Sequence, residues 1–148
     1  MGIFDWLFGS KHEDVINENG INETYRKKEK KKIIQERFYK KNDKRHGEYK
    51  SFYLDGSTEN IIANYEEGKL HGECKKWSIL NPFGGGCWRY IEIYENGDLR
   101  NRKVFNCGAS KPLDPITKTR TLANEENFKA GDPEKGYIAE DIDCLQAN

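Results

Sequence analysis

The sequence predicts an all-β protein: an elongated, single-layer antiparallel meander of hairpin repeats with six strands, a short helical turn at the N-terminus and a mostly irregular C-terminal tail. Three observations carry that expectation. Between residues 33 and 106, runs of β-branched and aromatic residues are broken at intervals by Asp55-Gly56, Glu67-Gly68 and Asn96-Gly97. Such dipeptides accept the positive φ angles of tight hairpin turns. The same phrases also recur: His46-Gly47-Glu48 returns as His71-Gly72-Glu73 after 25 residues, and Tyr65-Glu66-Glu67-Gly68 returns as Tyr94-Glu95-Asn96-Gly97 after 29. Self-similarity at this period is the mark of stacked units, each resting on its neighbours. The third observation is composition, since 148 residues with only 35% apolar but 12% aromatic content suit a thin sheet better than a two-layer core.

Residues 1–10, MGIFDWLFGS, form the first segment. Ile3, Phe4, Leu7 and Phe8 fall at helical spacing, with Trp6 at the edge of that face and Gly9-Ser10 as a stop. Two readings stay open: a helical turn tucked against the protein's own sheet, or a docking element for a membrane surface or partner built on Phe4, Trp6, Leu7 and Phe8. Trp6 stands where a myristoylation pattern wants Ser or Thr. Residues 11–32 read as a polar and basic connector that ends in the charge run from Arg26 to Lys32, and Asn19-Gly20 within it is a turn signal and a trace of the repeat.

The repeat region, residues 33–106, contains the six strands, at 33–39, 47–53, 59–65, 72–79, 87–94 and 99–105. Their joints are the three Gly-bearing turns, a longer link at 42–46 and the wide loop NPFGGG at 81–86. Neither face is cleanly apolar. Tyr49 and Tyr53 share one side with Ser51 and Phe52 takes the other, while Ile91 and Ile93 oppose Tyr90 and Tyr94. Cross-strand aromatic pairs are the expected glue. Residues 107–148 stand outside the repeat. They divide into a Pro-containing polar stretch, KPLDPITKTRT, and a weakly helical end, YIAEDIDCLQ. Their apolar residues, among them Leu122, Phe128, Tyr137, Ile138, Ile142 and Leu145, suffice to dock on a sheet face as a cap, with a disordered tail as the alternative.

Chemistry is sparse. His71 lies three residues before Cys74, a spacing that sends the two side chains of a strand to opposite faces and does not suit a Cys-His dyad or a shared metal. Gly84 to Gly86 lack the Lys-Ser/Thr ending of a phosphate loop. No acid pair stands out. The expectation is therefore a non-enzyme with no cofactor and no metal site. Cys74, Cys87, Cys107 and Cys144 show no zinc-site spacing, and we expect free thiols in a reducing, cytoplasmic compartment. Neither a spanning segment nor a secretory leader is evident.

A binding role remains. Trp77, Phe83, Trp88, Arg89 and Tyr90 cluster around the NPFGGG interruption, and aromatics beside an Arg are typical interface anchors. Packing beneath the loop or the C-terminal tail is the alternative. Formal charge is zero, although residues 25–50 hold twelve Lys or Arg against four acids and residues 107–148 hold five against eight. A basic stretch facing the chain's own acidic tail is the plain reading of that asymmetry, and nucleic acid ranks behind protein and membrane surface as a partner.

The stretch GEYKSFYLDG followed by NYEEGKLHGECKKW resembles the MORN-repeat-variant proteins of bacteria, with the resemblance running over residues 33–106. It implies an elongated, twisted sheet of successive hairpins. Members are often labelled antitoxins of toxin-antitoxin systems, of the YwqK type, so it also implies a protein-interaction module, antitoxin- or immunity-like, that occludes a partner's surface. The alternative is a peripheral membrane scaffold using the apolar N-terminus and the basic stretch. Three departures weigh on the transfer: Leu99-Arg100-Asn101 where Leu-His-Gly belongs, the NPFGGG insertion, and the unrelated C-terminal residues.

Overall fold

The computed structural model describes residues 14–79, 86–108, 111–131 and 136–146, with backbone alone for 143–146. The N-terminal helical turn expected over 1–10, and with it Phe4, Trp6, Leu7 and Phe8, lies outside the described residues, as does Phe83. One antiparallel sheet holds nine strands: β1 (Gly20–Lys28), β2 (Lys31–Lys41), β3 (Lys44–Phe52), β4 (Glu59–Glu66), β5 (Lys69–Leu70), β6 (Gly72–Ile79), β7 (Gly86–Glu95), β8 (Asp98–Asn106) and β9 (Thr121–Asn127). The strands pair in chain order as a meander, except that the two-residue β5 pairs beside β4 and leads into β6.

All six expected strands are present, and the expected number is too low. β1 and β9 flank them, and β5 is split from β6 at His71-Gly72. The sequences of β1 and β9, GINETYRKK and TLANEEN, are poor in the residues that mark strands. What holds them is pairing with a neighbour that already has its register: Asn22 opposite Phe38, and Glu125 opposite Lys103. The C-terminal tail is more regular than expected because it carries β9, while its end, the stretch YIAEDIDCLQ read as weakly helical, forms the helix α1 (Tyr137–Gln146).

Turn chemistry explains the spacing. Glu29-Lys30, Asn42-Asp43, Glu67-Gly68 and Asn96-Gly97 all have positive φ at both positions, the geometry whose twist matches the strands on either side. The link at 42–46 is thus a two-residue turn followed by strand. Asp55-Gly56 is different, because it belongs to a longer loop in which Asp55 accepts from the backbone N–H groups of Ser57 and Thr58 at 3.0 and 2.9 Å.

The repeat has a structural counterpart at the joints. Turn residues Glu67 and Asn96 donate their backbone N–H to Nδ1 of His46 and His71, at 3.4 and 3.2 Å. The next residues, Gly68 and Gly97, donate to the carbonyls of Arg45 and Leu70, both at 2.8 Å. One unit earlier, Asn42 donates to Oδ1 of Asn19 and Asp43 donates to the carbonyl of Glu18, again both at 2.8 Å. Each turn is therefore docked on the joint of the preceding hairpin. Asn19-Gly20, His46-Gly47 and His71-Gly72 are equivalent, with φ of 114, 80 and 88° at the glycines. Asn19-Gly20 is a joint and not a turn, but it does belong to the repeat.

The two faces of the sheet differ. On one, Phe38, Tyr49, Ile61, Ala63, Tyr65, Cys74, Tyr94 and Leu99 form a buried cluster. Phe38 and Tyr49 are direct cross-strand partners with ring centroids 5.9 Å apart, and Tyr65 meets Tyr49 edge-on at 6.2 Å. The Arg45 guanidinium lies over all three rings, 4.5 to 5.5 Å from their centroids. The other face carries a row that crosses eight strands: Glu23, Arg37, Lys50, Ile62, Lys75, Ile91, Lys103 and Glu125. Long charged side chains make up most of that row, and Ile91 packs against a second, smaller buried cluster of Cys87, Phe105 and Cys107.

Helix α1 closes the apolar face. Ile138 and Ile142, one turn apart, are buried in the cluster. Its first internal hydrogen bond runs from Glu140 N–H to Gly136 carbonyl, so the capping position is a glycine with no side-chain acceptor. Glu92 of β7, fully buried, supplies the acceptor from across the sheet. Its Oε2 takes the N–H of Tyr137 at 3.1 Å and its Oε1 takes that of Ile138 at 2.9 Å. The same carboxylate accepts from Arg102 Nε at 3.2 Å and from the Tyr94 hydroxyl at 3.0 Å. Arg102 stacks on Tyr137, 4.1 Å from its ring centroid. A side chain at Gly136 would run into Tyr94 and Glu92, which is why the cap comes from elsewhere.

Removing the Glu92 carboxylate takes away the acceptor of the Tyr137 and Ile138 N–H groups and the buried ion-pair partner of Arg102 Nε. Glu92→Ala should lower stability by about 3–5 kcal/mol in urea denaturation and release the Tyr137 and Ile138 amides to fast exchange. A loss under about 1 kcal/mol would show that α1 is held by its isoleucines alone.

Candidate functional site

The ladder between β6 and β7 is irregular at one place. Lys76 pairs with Tyr90 but Trp77 pairs with Trp88, so Arg89 is an extra residue in β7. The bulge makes Trp77 and Trp88 direct partners, their rings edge to face at 5.0 Å. Gly86 is required beside them, because a Cβ there would overlap the Ser78 carbonyl and lie 2.7 Å from Trp77 Nε1.

A cleft of about 660 Å³ opens at this bulge, lined by Tyr53, Leu54, Asp55, Lys76, Trp77, Ser78, Ile79, Arg89 and Tyr90. Its walls are tied together. The Tyr53 hydroxyl donates to the Trp77 carbonyl at 2.5 Å. Lys76 pairs with Asp141 of α1 at 2.5 Å, and Tyr90 packs on Tyr137 with centroids 4.8 Å apart. Arg89 donates Nη1 to the Phe105 carbonyl at 3.1 Å. Exposed Leu54 stands at the rim. Rings, two cations and one carboxylate therefore meet in a partly apolar hollow, an arrangement suited to gripping a protruding side chain.

Of the residues expected from sequence, Trp77, Arg89 and Tyr90 line the cleft. Trp88 does not; it is buried, with Lys75 Nζ 4.8 Å from its ring centroid and its backbone N–H donated to the Lys118 carbonyl at 3.0 Å. Tyr53, Leu54, Asp55 and Lys76 were not expected. A leucine in a loop directly before Asp55-Gly56 was the signal available for the first wall; Lys76 gave none.

Cys87 and Cys107 form a disulfide beside Trp88, with Cα atoms 5.7 Å apart, which corrects the expectation of free thiols for these two. The argument from free thiols for a reducing compartment goes with it. Cys74 is a free thiol; burial pushes it up to about 12, which keeps it protonated and unreactive near neutral pH. Among the described residues no three His, Cys, Asp or Glu side chains gather as a metal site would need, and no helix is long and apolar enough to cross a membrane.

No protein-family model matches the chain, and neither a curated protein nor a solved structure matches it.

Hydrogen bonds from Thr58 and Ser57 hold the Asp55 carboxyl down at about 2. A depressed folded value means that the contribution of Asp55 to the loop is complete above its ordinary value of about 4 and is lost as pH falls through about 2. Amide resonances of Ser57 and Thr58 should hold steady from neutral pH to about 4 and move together near 2. Movement centred at 4 would contradict the hydrogen-bond geometry.

Proposed function

We propose that this chain is a non-enzymatic protein-binding module that acts by covering a partner's surface. The observation that carries the reading is the cleft at the β6–β7 bulge. The hairpin ladder is interrupted there, and Tyr53, Trp77 and Tyr90 meet Lys76 and Arg89. Interfaces concentrate their binding energy in such aromatic and Arg anchors. The resemblance of residues 33–106 to MORN-repeat-variant proteins of bacteria supports an antitoxin- or immunity-like role for this module. The docked turns of the repeat support the comparison by giving the recurring His-Gly a structural purpose.

A second reading rests on one observation. The β1–β2 hairpin end carries Lys27, Lys28, Lys30, Lys31 and Lys32 on an exposed turn, a cationic tip suited to an anionic membrane surface. In this reading Phe4, Trp6, Leu7 and Phe8 supply the apolar anchor, and vesicle sedimentation with and without residues 1–10 checks it. Equal binding by both forms removes the anchor.

The leading reading is tested by co-purification from the native cell, and by co-expression with the product of the neighbouring gene, using the native chain beside Leu54→Asp and Arg89→Glu. Both residues lie at the cleft and belong to neither buried cluster; Arg89→Glu also gives up the hydrogen bond to the Phe105 carbonyl, so thermal unfolding of each variant accompanies the capture. A specific partner should be captured by the native chain and reduced at least about tenfold by either variant. Capture unaffected by both variants would contradict the cleft's role.

A further inference from the structure

We propose that the outer edge of β9 is a second binding site, which takes an extended basic segment of a partner protein as a further strand of the sheet. The two ends of the sheet are treated differently. The edge of β1 is covered by the chain itself: Val15 and Glu23 exchange backbone hydrogen bonds at 2.8 and 2.9 Å, and Asp14 accepts from the Tyr25 N–H at 2.9 Å. Among the described residues, no backbone hydrogen bond reaches the outer edge of β9. Edges left in this state are templates for strand addition, and proteins that do not use them blunt them.

The direction of the free groups follows from the register. Phe128 N–H donates to the Arg100 carbonyl of β8 at 2.9 Å, so by the alternation of an antiparallel pair Glu126 and Asn124 also face inward. Glu125 and Asn127 therefore turn their N–H and carbonyl groups outward. Six of the seven β9 residues are exposed, and neither α1 nor the buried cluster covers the strand. An incoming segment would meet no obstruction from those elements.

Charge selects the occupant. β9 contains Glu125 and Glu126 and no cation, with Arg120 before it and Lys129 after it. On the adjacent β8, Lys103 stands opposite Glu125, and Arg102, opposite Glu126, is engaged by Glu92. Each β9 carboxylate meets a neutral amide instead: Asn101 Nδ2 lies 3.0 Å from Glu125, and Asn124 Nδ2 lies 2.8 Å from Glu126. Two β9 edges facing each other would set these acids side by side, which disfavours pairing between copies and favours a strand bearing Lys or Arg at its centre. This site is separate from the cleft at the β6–β7 bulge, and its success or failure does not depend on that reading.

The test uses the full chain and a nine-residue peptide of alternating Lys and Val, followed by fluorescence anisotropy at low salt and by amide exchange. The peptide should bind, slow the exchange of the Glu125 and Asn127 amides, and lose at least about tenfold in affinity to Glu125→Lys together with Glu126→Lys. A peptide with alternate backbone amides methylated keeps its charge but cannot complete a ladder, and it should bind at least about tenfold more weakly. A charge reversal on another strand, Glu48→Lys on the exposed side of β3, should leave binding unchanged. Equal binding of the methylated peptide, protection elsewhere than β9, no binding at all, or an edge occupied by a second copy in sedimentation equilibrium would each overturn the proposal.

Discussion

The hydrogen bonds that dock each turn on the preceding hairpin are the constraint from which the rest of this sheet follows. A two-residue turn exposes its N–H groups, and an isolated hairpin leaves them to water. Here the first N–H meets a side-chain acceptor and the second meets a carbonyl, in three successive units. The geometry fixes where the next hairpin begins, and so fixes the period. It also explains why Asn and His can share one position: each offers an acceptor at the right reach, and the glycine that follows supplies the positive φ that turns the chain back into strand. His46 and His71 are joints of the scaffold.

A regular ladder with one face closed by a helix leaves the irregular places as the candidates for recognition. The covered face closes on Glu92, where a fully buried carboxylate meets Arg102, Tyr94 and the start of α1. Burial and the neighbouring carboxylate raise the Tyr94 hydroxyl well above its usual range, so it remains a donor at any physiological pH. Glu36 forms a comparable centre with Tyr49 and Thr24 at the other end of the cluster. Such centres fix register and the seat of the helix more than they add stability, because ions taken from water recover little beyond their desolvation cost. Once α1 is seated, its Asp141 and Tyr137 form part of the support behind the cleft through Lys76 and Tyr90. Packing and the proposed binding surface are therefore linked through one helix.

Much of the sheet could be read from turns and alternation. Asn96-Gly97 and Glu67-Gly68 announced their hairpins, and Tyr49, Ser51, Tyr90 and Tyr94 took the face that alternation assigns. β1 and β9 were hidden because register supplied by a neighbour overrides weak propensity. The helix cap was hidden for another reason: Gly136 has no cap side chain, and Glu92 lies 44 residues away in the sequence. The Cys87–Cys107 pairing was hidden by one bulge: a regular hairpin at Asn96-Gly97 sets Cys87 opposite Asn106, and only the irregularity between Ile93 and Tyr94 brings it opposite Cys107. Within the cleft, the rings and Arg89 were legible from their clustering at the interruption, whereas Lys76 and the Asp55 loop depend on the bulge and on a turn type that dipeptides alone do not specify.

The central claim, that the recurring His-Gly positions hold each turn to the unit before it, is tested most directly by native-state amide exchange at Glu67, Gly68, Asn96 and Gly97 in the native chain, His71→Asn and His71→Ala. The account predicts slow exchange at all four in the native chain, with protection at Asn96 retained when Asn replaces His71, as at Asn19, and lost when Ala does. Exchange at the rate of open turns in the native chain, or the same Asn96 protection in all three proteins, would contradict it.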